Sequence, residues 1–575
     1  MTIVAPRSLL SRAPAGPDPW YLAAVCVGAL LIIVASINQP YNQNELQQMA
    51  PYGSGSVEEI TAGTRQPPLD PLLGALVQHL LGEGQLRQRL VPALCGIGTL
   101  VLVAAVLCRL GTGWAGAFGV WVLATSPLMV RYSAYTRPYA LPLFLMMLLV
   151  YAAQRWLEDG QRRWLLLVGL AAAALPLARV PEPTAFLLTL AVVLTWWAWR
   201  GRLAWGQVWP LVAVSLGALA TVGFWMSTSL ATQSSGLVDP SPAGVADRFV
   251  PATVEVATFL LPLLATWFPW WPVTVALVLT ALVLPTSRRL LLSWWLWLPL
   301  LAGPVAFALS LYFLTLDPFD SDIRPYRARY AYFLLPAYAM VAVAVAMAWQ
   351  GIDRKVRALR VAVGALLVAA LVGQLPATAR VLITNESPDY GQAAEVIERL
   401  PDDAIVLYDT PNEAGGWRQP FSAKPRYLAA VPFATAVNGI PHRARLVPET
   451  GPVYLLILDS ECAQSVVCDD PPRRWNKDVE GFELAERFDR FRLYAPTDGQ
   501  SGPEGTIRAL RSLGRSFGPD LGYIERFAAA WLLQHEGRAG EGERLIQRMY
   551  DRATPGAVER IRGAEARRNL DPFAG

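Results

Sequence analysis

The chain has 575 residues, of which 54% are hydrophobic and only 16% charged, with 21 tryptophans and a mean hydropathy of +0.33. A water-soluble domain of this size cannot hide that much apolar surface in one core, so lipid must act as solvent for much of the chain. The net charge is only +4, and no basic cluster forms a nucleic-acid footprint, which excludes that class of partner.

The first apolar run, Trp20 to Ile37, follows a short segment bearing Arg7 and Arg12 and lacks a small-residue cleavage site, so it reads as a retained span rather than a removed signal peptide. Runs long enough to cross about 30 Å of hydrocarbon recur at 90–108, 114–131, 138–154, 164–178, 183–199, 205–226, 268–286, 290–312, 330–349 and 361–377, giving eleven expected spans. Leu165 to Ala178 is short and the next run starts on Pro183, so a re-entrant hairpin is the alternative there; it leaves the sidedness unchanged.

Cytoplasmic connections are short and rich in Lys and Arg. On this reading one set of segments carries Arg7 and Arg12, Arg109, Arg155 with Arg162 and Arg163, Arg200 with Arg202, Arg288 with Arg289, and Arg354 to Arg360. Every one is basic and the alternate segments mix signs. An odd number of spans then puts the N-terminus in the cytoplasm and everything after Arg380 outside. Charges gather at span ends rather than midpoints, which argues against a secondary transporter. Abundant Ala, Leu and Arg with few Lys suits a high-GC bacterial genome, and hence the bacterial cytoplasmic membrane.

The outer connections are unequal. The first, residues 38–89, is far longer than a simple loop needs and contains Leu69 to Leu81, an amphipathic stretch suited to the membrane interface. After residue 380 the composition turns soluble. Tyr390 to Leu400 reads as a helix, Ala404 to Tyr408 and Val453 to Leu458 as strands, and Phe488 to Tyr494 as an alternating strand. Thr506 to Phe517, Gly522 to Glu536, Ala539 to Asp551 and Ala557 to Leu570 show helical spacing, a pattern compatible with tetratricopeptide-like hairpins. The expected domains are therefore a membrane domain at 1–380, a small exported α/β domain at 381–500 and a helical tail at 501–575 suited to a protein partner. Cys462 and Cys468 lie in the exported part, where a disulfide is permitted; two free thiols are the alternative.

Several residues in the outer segments carry chemistry. Tyr41 to Leu46 places Glu45 just beyond the first span, where a carboxylate beside apolar walls is suited to act as a base. Further on come Arg65, Gln66, Pro67, Pro68, Leu69 and Asp70, then Gly82, Arg87 and Arg89 leading into the second span. Between the third and fourth spans lie Ser126, Pro127, Arg131, Tyr132, Ser133, Tyr135, Arg137, Pro138, Tyr139 and Ala140, and before the tenth lie Arg327, Arg329, Tyr330 and Pro336. The long first outer loop and these motifs resemble the GT-C glycosyltransferases that use polyprenyl-phosphate sugars, in particular the branch of protein O-mannosyltransferases and the aminoarabinose transferase of lipid A. The resemblance covers roughly Trp20 to Ala377 and leaves the helical tail outside it.

That resemblance implies a polytopic α-helical membrane protein of GT-C-like fold that transfers a sugar, with inversion, from a polyprenyl-phosphate donor to a glycan, lipid or protein acceptor in the cell envelope. It makes Glu45 the general base, with Asp70 in reserve. Arg137 is the first candidate for the donor phosphate, with Arg131, Arg65, Arg324, Arg327 and Arg329 behind it, because a guanidinium pairs with phosphate in a two-pronged fork. Asn44, Gln66, Tyr135 and Tyr139 are the candidate pocket residues. The family usually carries two acids where this chain has Asn44 before Glu45, so the alternative is a catalytically altered scaffold that binds partners of an envelope glycan pathway. Asp317, Asp320 and Asp322 are spaced like oxygen ligands but lack the rest of a calcium loop, and His79, His442 and His535 are scattered, so no metal site is expected.

Overall fold

A computed structural model describes residues 19–41, 45, 48–49, 52, 56–57, 60, 67–233, 271–315, 331–383, 390–401, 403–409, 450–458, 479–489, 491–497, 501–516, 523–553 and 558. The chain divides into two compact units: Met1–Gln39 with Pro51–Thr384 and Ser465–Asp469, and Pro40–Ala50 with Asn385–Gln464 and Asp470–Gly575.

The first unit is helical throughout its described length. Helix α1 (Pro19–Asn38) starts on a proline, whose fixed φ and missing N–H suit a first helical position. It turns a stripe of Ala24, Gly28, Ile32 and Ala35 inward and leaves Trp20, Leu22, Leu30 and Ile37 outside. Small residues on the buried stripe let helix backbones approach closely when both sides are apolar. A Cβ at Gly28 would lie 2.5 Å from Leu100 Cδ1 and 2.9 Å from Ala124 Cβ. Those two neighbours belong to α3 (Leu90–Arg109) and α4 (Gly113–Ala124), so glycine sets the spacing of the first three spans. Between α1 and α3 the expected interfacial stretch forms α2, Leu69–Leu81.

The third expected span is broken rather than straight. Helix α4 ends at Ala124, α5 runs over Pro127–Ser133, and their axes differ by 58°. Proline lacks an N–H and pushes the residue before it out of the helical region, and Ser126 is accordingly extended at φ −70°, ψ 128°. Then follow α6 (Ala140–Asp159), α7 (Arg162–Ala178), α8 (Pro181–Trp199) and α9 (Trp205–Gln233). Pro285 produces a sharper break of 88° between α10 (Trp271–Val283) and α11 (Pro285–Ser293), which carries Arg288 and Arg289 on a short helix of its own. The set closes with α12 (Leu298–Thr315), α13 (Leu335–Gln350), α14 (Arg357–Val372) and α15 (Leu375–Ile383).

Among the described residues five stretches are long and apolar enough to cross a membrane, and up to seven if each bent pair counts as one. Among the described residues each stretch expected as a span is mainly helical, but several helices are shorter than a full crossing, including Trp205–Ala220 and Leu335–Gln350.

One end of the helix set is stitched by arginines and tryptophans. Arg109 pairs with Glu158, Arg155 with Asp159 at 2.5 Å, and the guanidinium of Arg202 lies 4.3 Å from the ring centre of Trp197. Arg360 stacks on Trp349 in the same way at 5.0 Å. Such amphipathic pairs suit the headgroup level, where one side chain face is apolar and the other wet.

In the second unit a four-stranded sheet runs in the order β1-β2-β4-β3, with β1 (Ile405–Asp409) parallel to β2 (Val453–Leu458) and the rest antiparallel. Alternation sends Ile405, Leu407, Val453, Leu455 and Ile457 to one face and Val406 and Leu456 to the other. The second face packs on α16 (Tyr390–Glu398) through Ala393, Val396 and Ile397. The first face shares a core with Ile507, Leu510, Phe527, Leu533 and Met549 of α17 (Gly502–Ser516), α18 (Tyr523–His535) and α19 (Ala539–Tyr550). Sheet and tail helices thus bury one another. The single strand expected at Phe488 to Tyr494 is instead a hairpin, β3 (Phe482–Phe488) and β4 (Phe491–Pro496), turning at Asp489 with φ 43°. Aspartate tolerates that left-handed conformation better than most residues, and no glycine marks the turn.

Arg538, between α18 and α19, grips Glu541 through two bonds of 2.8 and 2.9 Å and reaches Glu504 of α17 at 2.5 Å. The hydrogen bonds from Arg538 hold the Glu541 carboxyl below the usual range, and Arg538 is raised in turn by Glu541 and Glu504.

Candidate functional site

The end of the helix set opposite Arg109 and Trp349 gathers polar groups around the C-terminus of α1. The last carbonyls of a helix lack intrahelical donors and carry the negative end of its dipole. Arg89 meets that need: fully buried at the start of α3, it donates from Nη1 to Gln39 O at 2.5 Å and Ser36 O at 3.2 Å. Gln39, itself buried, donates from Nε2 to Val381 O of α15 and accepts at Oε1 from Arg131 Nη1 at 3.3 Å. Two buried arginines therefore converge on one helix end.

Arg131 reaches this position because of the proline break. A straight third span would have ended near it; the bend at Pro127 tucks the residue inside α5, where only 9% is exposed. Ser133, on the same short helix, hydrogen-bonds the hydroxyl of Tyr332 at 3.1 Å. Gly96 of α3 makes room for this pair, since a Cβ there would fall 2.2 Å from Ser133 Oγ.

After α5 the chain turns tightly through residues 134–139, with Arg137 N donating to Tyr135 O and Tyr139 N to Arg137 O at 2.8 and 2.7 Å. The turn lays aromatic rings side by side. Tyr135 and Tyr139 stack at 6.0 Å with 17° between planes, and Tyr132 meets Tyr139 edge-on at 5.4 Å. The guanidinium of Arg131 sits 5.5 Å from the Tyr135 ring centre, and that of Arg179 sits 4.9 Å from Tyr139. Arg179 also pairs with Glu182 at 2.5 Å. The result is a ladder, Arg131, Tyr135, Tyr139, Arg179, Glu182, built from two separate stretches of chain, 131–139 and 179–182. Chemically it offers guanidiniums for an anion beside flat apolar faces.

Of the residues expected from sequence, Arg131, Tyr135 and Tyr139 come together in this ladder. Arg137 lies half-buried in the same turn, and its neighbour Thr136 donates to Gln88 O at 3.3 Å, tying the turn to the approach to α3. Asp70 is buried at 4% exposure in the first turn of α2, where a carboxylate complements the positive helix end. Glu45 is helical and fully buried, in the short 40–50 stretch that groups with the second unit. Arg65, Gln66, Asn44, Arg324, Arg327, Arg329, Cys462 and Cys468 lie outside the described residues, as do Asp317, Asp320 and Asp322. Among the described residues no group of three or more His, Cys, Asp or Glu side chains could hold a metal ion.

Sequence reasoning passed over Gln39, Arg179, Glu182 and Tyr332 as site members. A signal for one pair was present: Arg179 and Glu182 stand three apart at a helix start bracketed by Pro176, Pro181 and Pro183. Gln39 and Tyr332 give no such signal, because their roles depend on partners far away in the chain.

Residues 65–226 match the family model of dolichyl-phosphate-mannose-protein mannosyltransferase. The matched stretch holds Asp70, Arg89, Arg131, Arg137, Arg179 and Glu182. No curated protein matches the sequence. Similar solved structures include ArnT from Cupriavidus metallidurans bound to undecaprenyl phosphate, at 14% identity over 84% of this chain and 99% of that one, with a TM-score of 0.44. Another is the arabinofuranosyltransferase AftD from Mycobacteria, at 14% identity over 84% of this chain and 40% of that one, with a TM-score of 0.35.

Proposed function

We propose that this chain is a GT-C glycosyltransferase that moves one sugar from a polyprenyl-phosphate donor to a cell-envelope acceptor at the outer face of the bacterial cytoplasmic membrane, a reading supported by the match of residues 65–226 to the mannosyltransferase family model. The N-terminus lies in the cytoplasm and the second unit outside, as the basic inner connections favour. The observation that carries the reading is the joining of buried Arg131 to the tyrosine ladder within the stretch that matches the mannosyltransferase family. Arg131 and Arg137 hold the donor phosphate, with Arg65, Arg324, Arg327 and Arg329 as further candidates for it.

In the reaction the acceptor hydroxyl oxygen attacks the anomeric carbon from the face opposite the phosphate. The bond from that carbon to the phosphate oxygen breaks, and polyprenyl phosphate leaves with the electron pair, inverting the centre. Glu45 takes the hydroxyl proton. Its position in the sequence, seven residues beyond the end of α1, supports this role. Guanidiniums stabilise the charge that grows on the departing phosphate.

The test is Glu45→Gln in membranes supplied with lipid-linked sugar. Loss of a general base lowers turnover by about 10²- to 10⁴-fold while expression stays intact. Full turnover in this variant removes Glu45 from the mechanism. Wild-type membranes that bind the donor yet never turn it over would instead favour an altered scaffold.

A further inference from the structure

Glu182 has no task in the reaction just described, yet its environment is unusual. It sits in the first turn of α8 with its side chain 1% exposed. Oε2 accepts from Arg179 Nε, whereas Oε1 has no hydrogen-bond partner among the described residues. Leaving a buried carboxylate oxygen unpaired carries its full desolvation penalty, so such an atom calls for a donor that the protein itself does not supply.

Arg179 is poorly placed to serve both oxygens. Its guanidinium is held over the Tyr139 ring, and its backbone is extended at φ −165°, ψ 144° between two proline-bounded helices. Tyr139 stacks on Tyr135, which lies under Arg131. The orphan oxygen therefore belongs to the same ladder as the proposed phosphate ligand, at its other end. Apolar and aromatic walls with a few fixed polar groups are the usual composition of small-molecule sites.

We propose that Glu182 is a specificity-determining residue whose free oxygen accepts a hydrogen bond from a hydroxyl of the transferred sugar; this rests on the transferase reading above. The partner is a hydroxyl rather than an ammonium because Arg179 already neutralises the carboxylate, so an ammonium would add a net buried charge whose desolvation the pair does not offset. The site thus favours a neutral sugar over an amino sugar at that ring position.

The test compares binding of bare polyprenyl phosphate with its neutral-hexose, neutral-pentose and amino-pentose forms on the full chain purified in detergent. The wild type binds at least one neutral sugar form more tightly than the bare lipid, and the amino form less tightly than its neutral counterpart. In Glu182→Gln the amide oxygen turns to Arg179 and its NH2 replaces Oε1, so the sugar hydroxyl accepts from a neutral amide where it had donated to a charged oxygen. This weakens the preferred sugar form by about 5- to 10-fold, the difference between a charged and a neutral hydrogen bond, and spares the bare lipid. Glu182→Asp keeps the charge and the hold on Arg179 but withdraws the oxygens by one methylene, and gives an intermediate loss. Equal weakening of all four lipids in Glu182→Asp overturns the proposal, as does wild-type preference for the amino form or for the bare lipid. Failure of the transferase reading looks different: sugar-selective binding persists, with no turnover of any acceptor.

Discussion

Arg89 is the clearest place to test how the polar cluster at the end of α1 is built. It is fully buried and bridges Ser36 O and Gln39 O, so Arg89→Met empties two donor positions while filling much of the volume. A hydrogen bond from a charged donor is worth about 1.5–3 kcal/mol, whereas polar contacts between membrane helices average about 0.6 kcal/mol because the unfolded reference finds other partners. Two such bonds bracket a loss of about 1–6 kcal/mol, and complete burial with a charged donor favours the upper half, about 3 kcal/mol or more. Arg89→Lys keeps the charge, but a compact ammonium satisfies one carbonyl well rather than two, so about half the loss is expected. Arg87, exposed and donating to Leu81 O at 2.8 Å, is the control: Arg87→Met costs under about 1 kcal/mol. Thermal unfolding in detergent, followed by tryptophan fluorescence, reads all three. If Arg89→Met unfolds at the wild-type temperature, the helix end does not depend on this guanidinium and the reasoning is wrong.

Arg131→Lys should weaken lipid-phosphate binding by about 10-fold or more, because it replaces a planar fork fixed on Tyr135 by a mobile point charge; unchanged affinity by calorimetry would remove Arg131 from the donor site. Gly28→Leu forces α1 away from Leu100 and Ala124, and should destabilise by roughly 1–3 kcal/mol or more in the same unfolding assay, while the outward Leu30→Ala changes little. In the tail, Glu541 is depressed in the folded state, so its contribution is present above the unfolded value of about 4.3 and is lost as pH falls through the lower folded value. Arg538 stays charged throughout that window. Hydrogen exchange over residues 502–550, corrected for intrinsic rates, should therefore show less protection near pH 3.5 than near pH 6, with the change reduced in Glu541→Gln and by high salt. An identical profile in that variant would place the pH sensitivity elsewhere.

Among the described residues element type was largely legible because it depends on local pattern. The apolar runs became helices, Leu69–Leu81 matched its helix end to end, and Val453–Leu458 matched its strand. Arg131, Tyr135 and Tyr139 were singled out together because they stand within nine residues of one connection, and the turn there brings their side chains into contact. The β3–β4 hairpin was not, since its turn at Asp489 lacks the glycine signal that would divide an alternating run.

What the amino-acid order determined by itself was the local element: helices for the described apolar runs, and strands and amphipathic helices where the composition turns polar after residue 380. Only the tertiary structure decided which residues meet. Gln39 joins Arg89, Arg131 and Val381 across as many as 342 positions, and Arg179 reaches Tyr139 from a different helix pair. Such contacts follow from the bend at Pro127 and the close approach at Gly28 and Gly96, which fix how whole helices lie against one another. Residue spacing along one helix cannot encode that arrangement, because it is set by packing between helices distant in sequence.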